Sequence, residues 1–254
     1  MRTPLMAANW KMHLTRREAK TLVEDLLKAV EGTKNDVLIC PPAILVDTVQ
    51  SLCAGASRVS TGVQNMHFAD KGAFTGEISA EMVKDAGAGF AIIGHSERRA
   101  IFGETDEMCA KKVIQADAYG ITPVLCVGES LEQRESGSTK AVIDGQLEGS
   151  LEGFSLDNGE RLVIAYEPVW AIGTGKTASS ADAEEVIRHI RERLAEKYGE
   201  RIANAVRILY GGSVKPGNVD ELMAQPNIDG ALVGGASLEA ESFARIVNFQ
   251  VAVK

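Results

Sequence analysis

The chain predicts an α/β fold: a single closed (β/α)8 barrel, eight parallel strands inside an outer ring of helices, occupying residues 1–254 as one domain. Three observations predict it. Short apolar runs recur at 5–8, 37–40, 59–63, 90–93, 124–127, 162–166, 206–210 and 231–233, eight in all. The runs are continuously apolar rather than alternating, as in strands covered on both faces. Amphipathic stretches separate them, and strand–helix units repeated eight times with right-handed crossovers close into a barrel. At 254 residues the chain has the usual length of one such domain. The rival, an open doubly wound sheet, calls for GxGxxG after its first strand, whereas here the first run ends Asn9-Trp10-Lys11.

The elements follow in order. Thr15 and Glu18 form a capping box that opens a helix over 15–30. Leu22, Val23, Leu26, Leu27 and Val30 share one face of it, and Gly32 is placed to end it. A helix over 180–198 carries Val186, Ile187, Ile190 and Leu194 as a stripe, and a further helix follows Thr105. No linker or low-complexity segment divides the chain.

Composition bounds the function. Hydrophobic residues make up 45% and charged residues 24%, enough apolar side chain for a sizeable core. The net charge of −8 excludes nucleic acid and anionic membrane as natural partners, so any anionic ligand needs locally positive potential. Cys40, Cys53, Cys109 and Cys126 show neither CxxC spacing nor pairing with the histidines, so no metal site is expected. Cys40 and Cys126 sit inside apolar runs as buried structural thiols, a usage that suits a reducing cytosol. The N-terminus lacks a long apolar targeting core, and no run reaches membrane-spanning length, so the cytoplasm is the expected compartment.

The site of such a barrel lies where the strands end. The sixth run is followed at once by Glu167, Pro168, Val169 and Trp170, then by a glycine-rich tail over 173–177. One carboxylate at the rim of a buried strand, beside a segment able to move over it, suits proton abstraction in a closed site. Asn9 and Lys11 follow the first run and His95 the fourth, with Gly211-Gly212-Ser213 after the seventh and Gly234-Gly235 after the eighth. A base, an imidazole, a cation and two amide-rich turns therefore converge on one rim. Taken singly each has an ordinary explanation: a snorkelling lysine, a packed histidine, a tight glycine turn. His95 opens a helical turn at 96–99, whose free amides and positive dipole end are expected to lower its pKa and keep it neutral. Glycine turns before the last two helices match the usual phosphate site of these barrels. The stretch Gly173-Thr174-Gly175-Lys176-Thr177 imitates the end of a nucleotide-binding P-loop, but the glycine required five places before Gly175 is Trp170.

Asn9-Trp10-Lys11-Met12, the segment 93–99 around His95, the segment 165–175 around Glu167, Tyr210-Gly211-Gly212-Ser213-Val214 and Val233-Gly234-Gly235 occur in the order found in triosephosphate isomerases. The chain resembles that family over essentially its whole length. The resemblance implies the TIM barrel and the interconversion of dihydroxyacetone phosphate and D-glyceraldehyde 3-phosphate through an enediolate. The reaction belongs to glycolysis and gluconeogenesis and uses no cofactor and no metal. Glu167 is then the base and neutral His95 the electrophile, Lys11 and Asn9 hold the substrate, and Glu97 supports Lys11. Gly173, Ser213, Gly234 and Gly235 supply amides to the phosphate as a lid over 168–178 closes. The resemblance further implies a homodimer through the 64–79 loop, whose Met66, Phe68 and Phe74 exceed what a solvated connector carries. Thr75 would reach the partner's Asn9–Lys11 region, and Glu77 would pair with Arg98 across the interface. The nearest rivals are a Schiff-base sugar-phosphate aldolase using Lys11 and a non-catalytic phosphate-binding barrel.

Overall fold

The computed structural model describes residues 2–172 and 178–251. Its strands are β1 (Leu5–Asn9), β2 (Asp36–Cys40), β3 (Val59–Val63), β4 (Phe90–Ile93), β5 (Thr122–Val127), β6 (Val163–Tyr166), β7 (Arg207–Tyr210) and β8 (Gly230–Val233). They form a closed barrel in sequence order, and every neighbouring pair, including β1 with β8, is parallel.

Around them lie α1 (Arg16–Ala29), α2 (Val46–Cys53), α3 (Ala80–Asp85), α4 (Ser96–Phe102), α5 (Asp106–Ala118), α6 (Leu131–Glu135) and α7 (Thr139–Ser150). The ring continues with α8 (Ser180–Tyr198), α9 (Glu200–Ala203), α10 (Val219–Met223) and α11 (Ala240–Val247). Local chemistry sets the starts. The Glu18 carboxylate accepts from the Thr15 amide at 2.8 Å ahead of α1, Thr105 caps α5, and Ser179 with Asp182 boxes the start of α8. The expected helices at 15–30, 180–198 and after Thr105 are therefore present.

β5 begins two residues before its apolar run, because Pro123 is accepted near the start of a strand even though it cannot donate to the ladder. Leu162 instead ends a 3-10 turn, Gly159–Arg161, so β6 starts one residue late.

Strand alternation builds two apolar layers. Leu5, Ala7, Leu38, Cys40, Ile92, Val124, Cys126, Val163, Ala165, Leu209 and Leu232 fill the barrel interior. Their neighbours, among them Met6, Ala8, Val37, Ile39, Ile164 and Ile208, pack outward against the helices. This two-residue period decides what happens at the mouth. Continued two residues past Ala7, Ala165, Leu209 and Leu232, it places Asn9, Glu167, Gly211 and Gly234 on the inner side, where they line the site.

Candidate active site

A cavity of about 370 Å³ opens at the carboxyl ends of the strands, lined by Asn9, Lys11, His95, Glu167, Gly211, Ser213, Gly234 and Gly235 among others. The fold thus brings together Glu167, His95, Lys11, Asn9 and both amide-rich turns that the sequence reading placed on one rim. Gly173 and the 173–177 part of the expected lid lie outside the described residues. Pro168 opens a 3-10 turn over Val169–Ala171, and Ile172 joins Leu232 on the apolar side of the cavity.

Glu167 is 2% exposed and held on two sides. Its Oε2 accepts from the Ser96 amide at 2.8 Å, and its Oε1 lies 2.9 Å from His95 Nε2. Close backbone approach makes room for it: a Cβ at Gly211 would stand 2.8 Å from Glu167 Cγ. His95 caps α4 through its ring, with Nδ1 accepting from the Glu97 amide at 3.2 Å. That bond leaves the neutral ring's proton on Nε2, facing Glu167.

The electrostatics differ from the expectation at one point. Burial lowers the His95 pKa, but the charge and hydrogen bond of Glu167 outweigh it, and the net direction is upward from 6.5 rather than downward as expected. The helix-dipole reasoning omitted a carboxylate in direct contact with the ring. Burial by itself raises the Glu167 pKa, yet the His95 charge, the His95 hydrogen bond and the Ser96 amide bring it below 4.5.

These directions set a pH signature. A depressed carboxyl contributes stability that is complete above 4.5 and lost as pH falls through its folded value. A raised imidazole contributes stability that is complete below 6.5 and lost as pH rises through its folded value. Replacing Glu167 with Gln removes both, so the melting-temperature difference between native and variant protein is expected to peak between those limits and shrink on either side. A difference flat across pH, measured by calorimetry on the ligand-free protein, would contradict the pairing.

Lys11 adopts a left-handed backbone, φ 53°, rare for a side chain of its size. Its amide donates to Asn9 Oδ1 at 3.1 Å, and its carbonyl accepts from Gln64 Nε2 at 2.9 Å. Its ammonium donates to Glu97 Oε1 at 2.6 Å. Ser213 and Gly234-Gly235 line the same cavity, and a Cβ at Gly234 would stand 3.5 Å from Lys11 Cε. Gly234 opens a 3-10 turn, Gly235–Leu238, and turns of this kind aim free amides at an anion.

Several contributors were missed by the sequence reading. Glu129 is fully buried and accepts from Tyr166 Oη at 3.1 Å and Trp170 Nε1 at 2.9 Å. The Arg134 guanidinium lies 4.9 Å from the Trp170 ring centroid and 3.6 Å from Glu129. Applying the strand-end rule to β5 as well would have singled out Gly128-Glu129. His13 and Lys215 line the same cavity. Gln64, at the end of β3, carried a signal only as part of the long third loop.

Among the described residues no three His, Cys, Asp or Glu side chains cluster as metal ligands. The four thiols are free and buried, and burial pushes Cys53 up to about 11 and Cys109 to about 12, the behaviour of inert structural cysteines.

Beyond the site, Phe74, Met82, Ile101 and Phe102 are exposed, and Met12, Gln64, Glu77, Arg98 and Phe102 line a depression beside Lys11. Thr75 and Glu77 are exposed on the same loop. Arg98 also has a partner within the chain, Glu104 at 2.5 Å, which the expectation for it did not include.

A closed parallel barrel with a carboxylate, an imidazole and a lysine around one cavity suits an enzyme of proton transfer. Comparison narrows the class. Residues 4–250 match the family model of triosephosphate isomerase. Proteins described as triosephosphate isomerase from Clostridium perfringens and Thermoanaerobacter pseudethanolicus are 54% and 53% identical over 249 residues, 98% of this chain and all of theirs. One from Roseiflexus is 53% identical over 250 residues, 98% of each chain. The chain belongs to the triosephosphate isomerase family, and it is an isomerase.

Proposed function

We propose that this isomerase interconverts dihydroxyacetone phosphate and D-glyceraldehyde 3-phosphate by proton transfer, with the roles divided among the residues at the cavity. The observation that carries this reading is the 2.9 Å contact between Glu167 and His95 on the floor of a cavity that also holds Lys11. Glu167 removes a proton from the carbon beside the carbonyl. The C–H electron pair becomes the carbon–carbon double bond of an enediolate, and the carbonyl oxygen takes up negative charge. His95, proton on Nε2, donates to that oxygen and moves the proton between the two neighbouring oxygens. Protonated Glu167 then delivers its proton to the adjacent carbon, so nothing is gained or lost overall.

A carboxylate held by Ser96 and His95 is a weak base, and a substrate carbonyl entering between it and the ring takes over the His95 hydrogen bond. Glu167 then regains basicity, while His95 loses the partner that raised its pKa. Burial and the Glu97 amide on Nδ1 remain and favour the neutral ring, against the Glu97 carboxylate 3.6 Å from Nδ1, which favours the charged one. Lys11 with Asn9 steadies developing negative charge. Ser213, Gly234, Gly235 and, from outside the described residues, Gly173 bind the phosphate. Ile172 and Leu232 help to exclude water, which would otherwise promote loss of phosphate from the enediolate.

The aldolase reading is disfavoured because Glu97 engages Lys11 as a cation, an arrangement suited to holding an anion rather than attacking a carbonyl. Borohydride added with dihydroxyacetone phosphate leaves Lys11 unmodified on our reading, and a trapped adduct would favour the aldolase.

The proposal extends to one barrel domain over the whole chain, to a homodimer through the 64–79 loop and to the cytoplasm, the last supported by four free thiols. Phe74 stands 46% exposed against His67, their ring centroids 4.3 Å apart, at the head of the apolar surface. Phe74→Asp is expected to give monomers in sedimentation with sharply reduced turnover; monomers of full activity would refute the arm.

A further inference from the structure

The strand-end position after β5 contributes no side chain of its own, since it is Gly128, yet it lies directly against the catalytic segment. The Glu167 amide donates to Val127 O at 2.8 Å, and the Val169 amide donates to Glu129 O at 3.1 Å. These bonds lace 127–129 to 167–169 on either side of Gly128. A Cβ at residue 128 would overlap the carbonyl oxygen of Glu167, so the backbone there abuts the base's own peptide with no room between them. Gly128 lies one residue beyond the last paired position of β5 and β6, Val127 with Tyr166.

Both polar groups of Gly128 are taken by one side chain of α7. The Gly128 amide donates to Gln146 Oε1 at 2.7 Å, and Gln146 Nε2 donates to Gly128 O at 3.0 Å. A primary amide presents an acceptor and a donor side by side, which matches the amide and carbonyl of a single residue. No other side chain of this length does both at neutral pH. The helix carrying Gln146 is itself fixed, with Ile143 and Leu147 buried in the core and Ser150 Oγ donating to Asp106 at 2.9 Å.

The geometry points to Gln146 as a positioning residue for Glu167: its two-point clamp on Gly128 sets the wall that holds the base's backbone in register with the substrate. Gln146 does not line the cavity, and it acts only through Gly128. The inference rests on the reading of Glu167 as the base. Displacements of about 1 Å at a catalytic group cost on the order of 10²-fold in rate, and a glycine peptide released on both sides can rotate where a larger residue could not.

The test is steady-state kinetics of Gln146→Leu and Gln146→Glu, with thermal melts, beside native protein and Glu167→Gln. Gln146→Leu removes donor and acceptor at similar size, and kcat is expected to fall by about one to two orders of magnitude with KM changed far less. Gln146→Glu keeps the acceptor for the Gly128 amide but sets a carboxylate oxygen against the Gly128 carbonyl. Protonation restores a donor there. The ratio of its kcat to that of the native enzyme is therefore expected to rise as pH falls, a trend the base itself cannot produce because its own titration cancels in the ratio. If Gln146→Leu does not fold, the pH ratio of Gln146→Glu decides. Folded variants with native kcat, or a ratio independent of pH, would overturn the clamp. Turnover retained by Glu167→Gln would instead overturn the base assignment, so the two failures are distinguishable.

Discussion

Glu167→Gln is expected to lose turnover by about 10²- to 10⁴-fold or more, the range over which a positioned general base acts, while the protein stays folded. The amide matches the carboxylate in size, and its oxygen can still accept from Ser96, so the buried cavity floor is preserved. What disappears is the site for the abstracted proton. The same substitution removes the charge that does most to raise the His95 pKa, so that pKa is expected to fall in the variant. Stopped or coupled assays in both directions should show the same fractional loss, since one carboxylate serves both carbons. Near-native turnover would remove Glu167 from the role.

Lys11→Ala is expected to have the next largest effect, a fall in kcat/KM of about 10²- to 10³-fold, the size seen when one preorganised stabiliser of developing charge is removed. Two consequences add. The cation at the cavity is lost, and Glu97, now without the ammonium 2.6 Å away, leaves a carboxylate near an incoming dianion in a protein already at −8. Binding and the chemical step should therefore both suffer, with KM raised and kcat lowered. Lys11→Arg is not a conservative rescue, because the side chain leaves a backbone at φ 53° tied by Asn9 and Gln64, and a planar guanidinium projects differently from it. Unchanged kinetics for Lys11→Ala would exclude Lys11 from the site.

Much of this site was legible in the chain because a barrel converts sequence position into spatial position. Once eight apolar runs are read as strands, the residue after each run lies on one rim, and Asn9, Lys11, His95, Glu167, Ser213, Gly234 and Gly235 fall together without further information. The helices at 16–29 and 180–198 were equally legible, since their caps and apolar stripes are local. Long-range contacts were not. The raised His95 pKa comes from a carboxylate 72 positions further along the chain and only 2.9 Å away. Glu129 looked like an ordinary loop acid, and only packing reveals Tyr166 and Trp170 on it. Gln146 lies on an outer helix with nothing in its neighbours to mark it, and its partner is a backbone.

The central claim is that the isomerase moves a proton through a carboxylate rather than a hydride between carbons. Isomerisation of dihydroxyacetone phosphate in deuterium oxide, with the product trapped and examined by proton NMR, tests it directly. Deuterium is expected at the carbon that receives the proton, because the acid form of Glu167 can exchange before delivery. Product formed at the native rate with no solvent deuterium at carbon would contradict it.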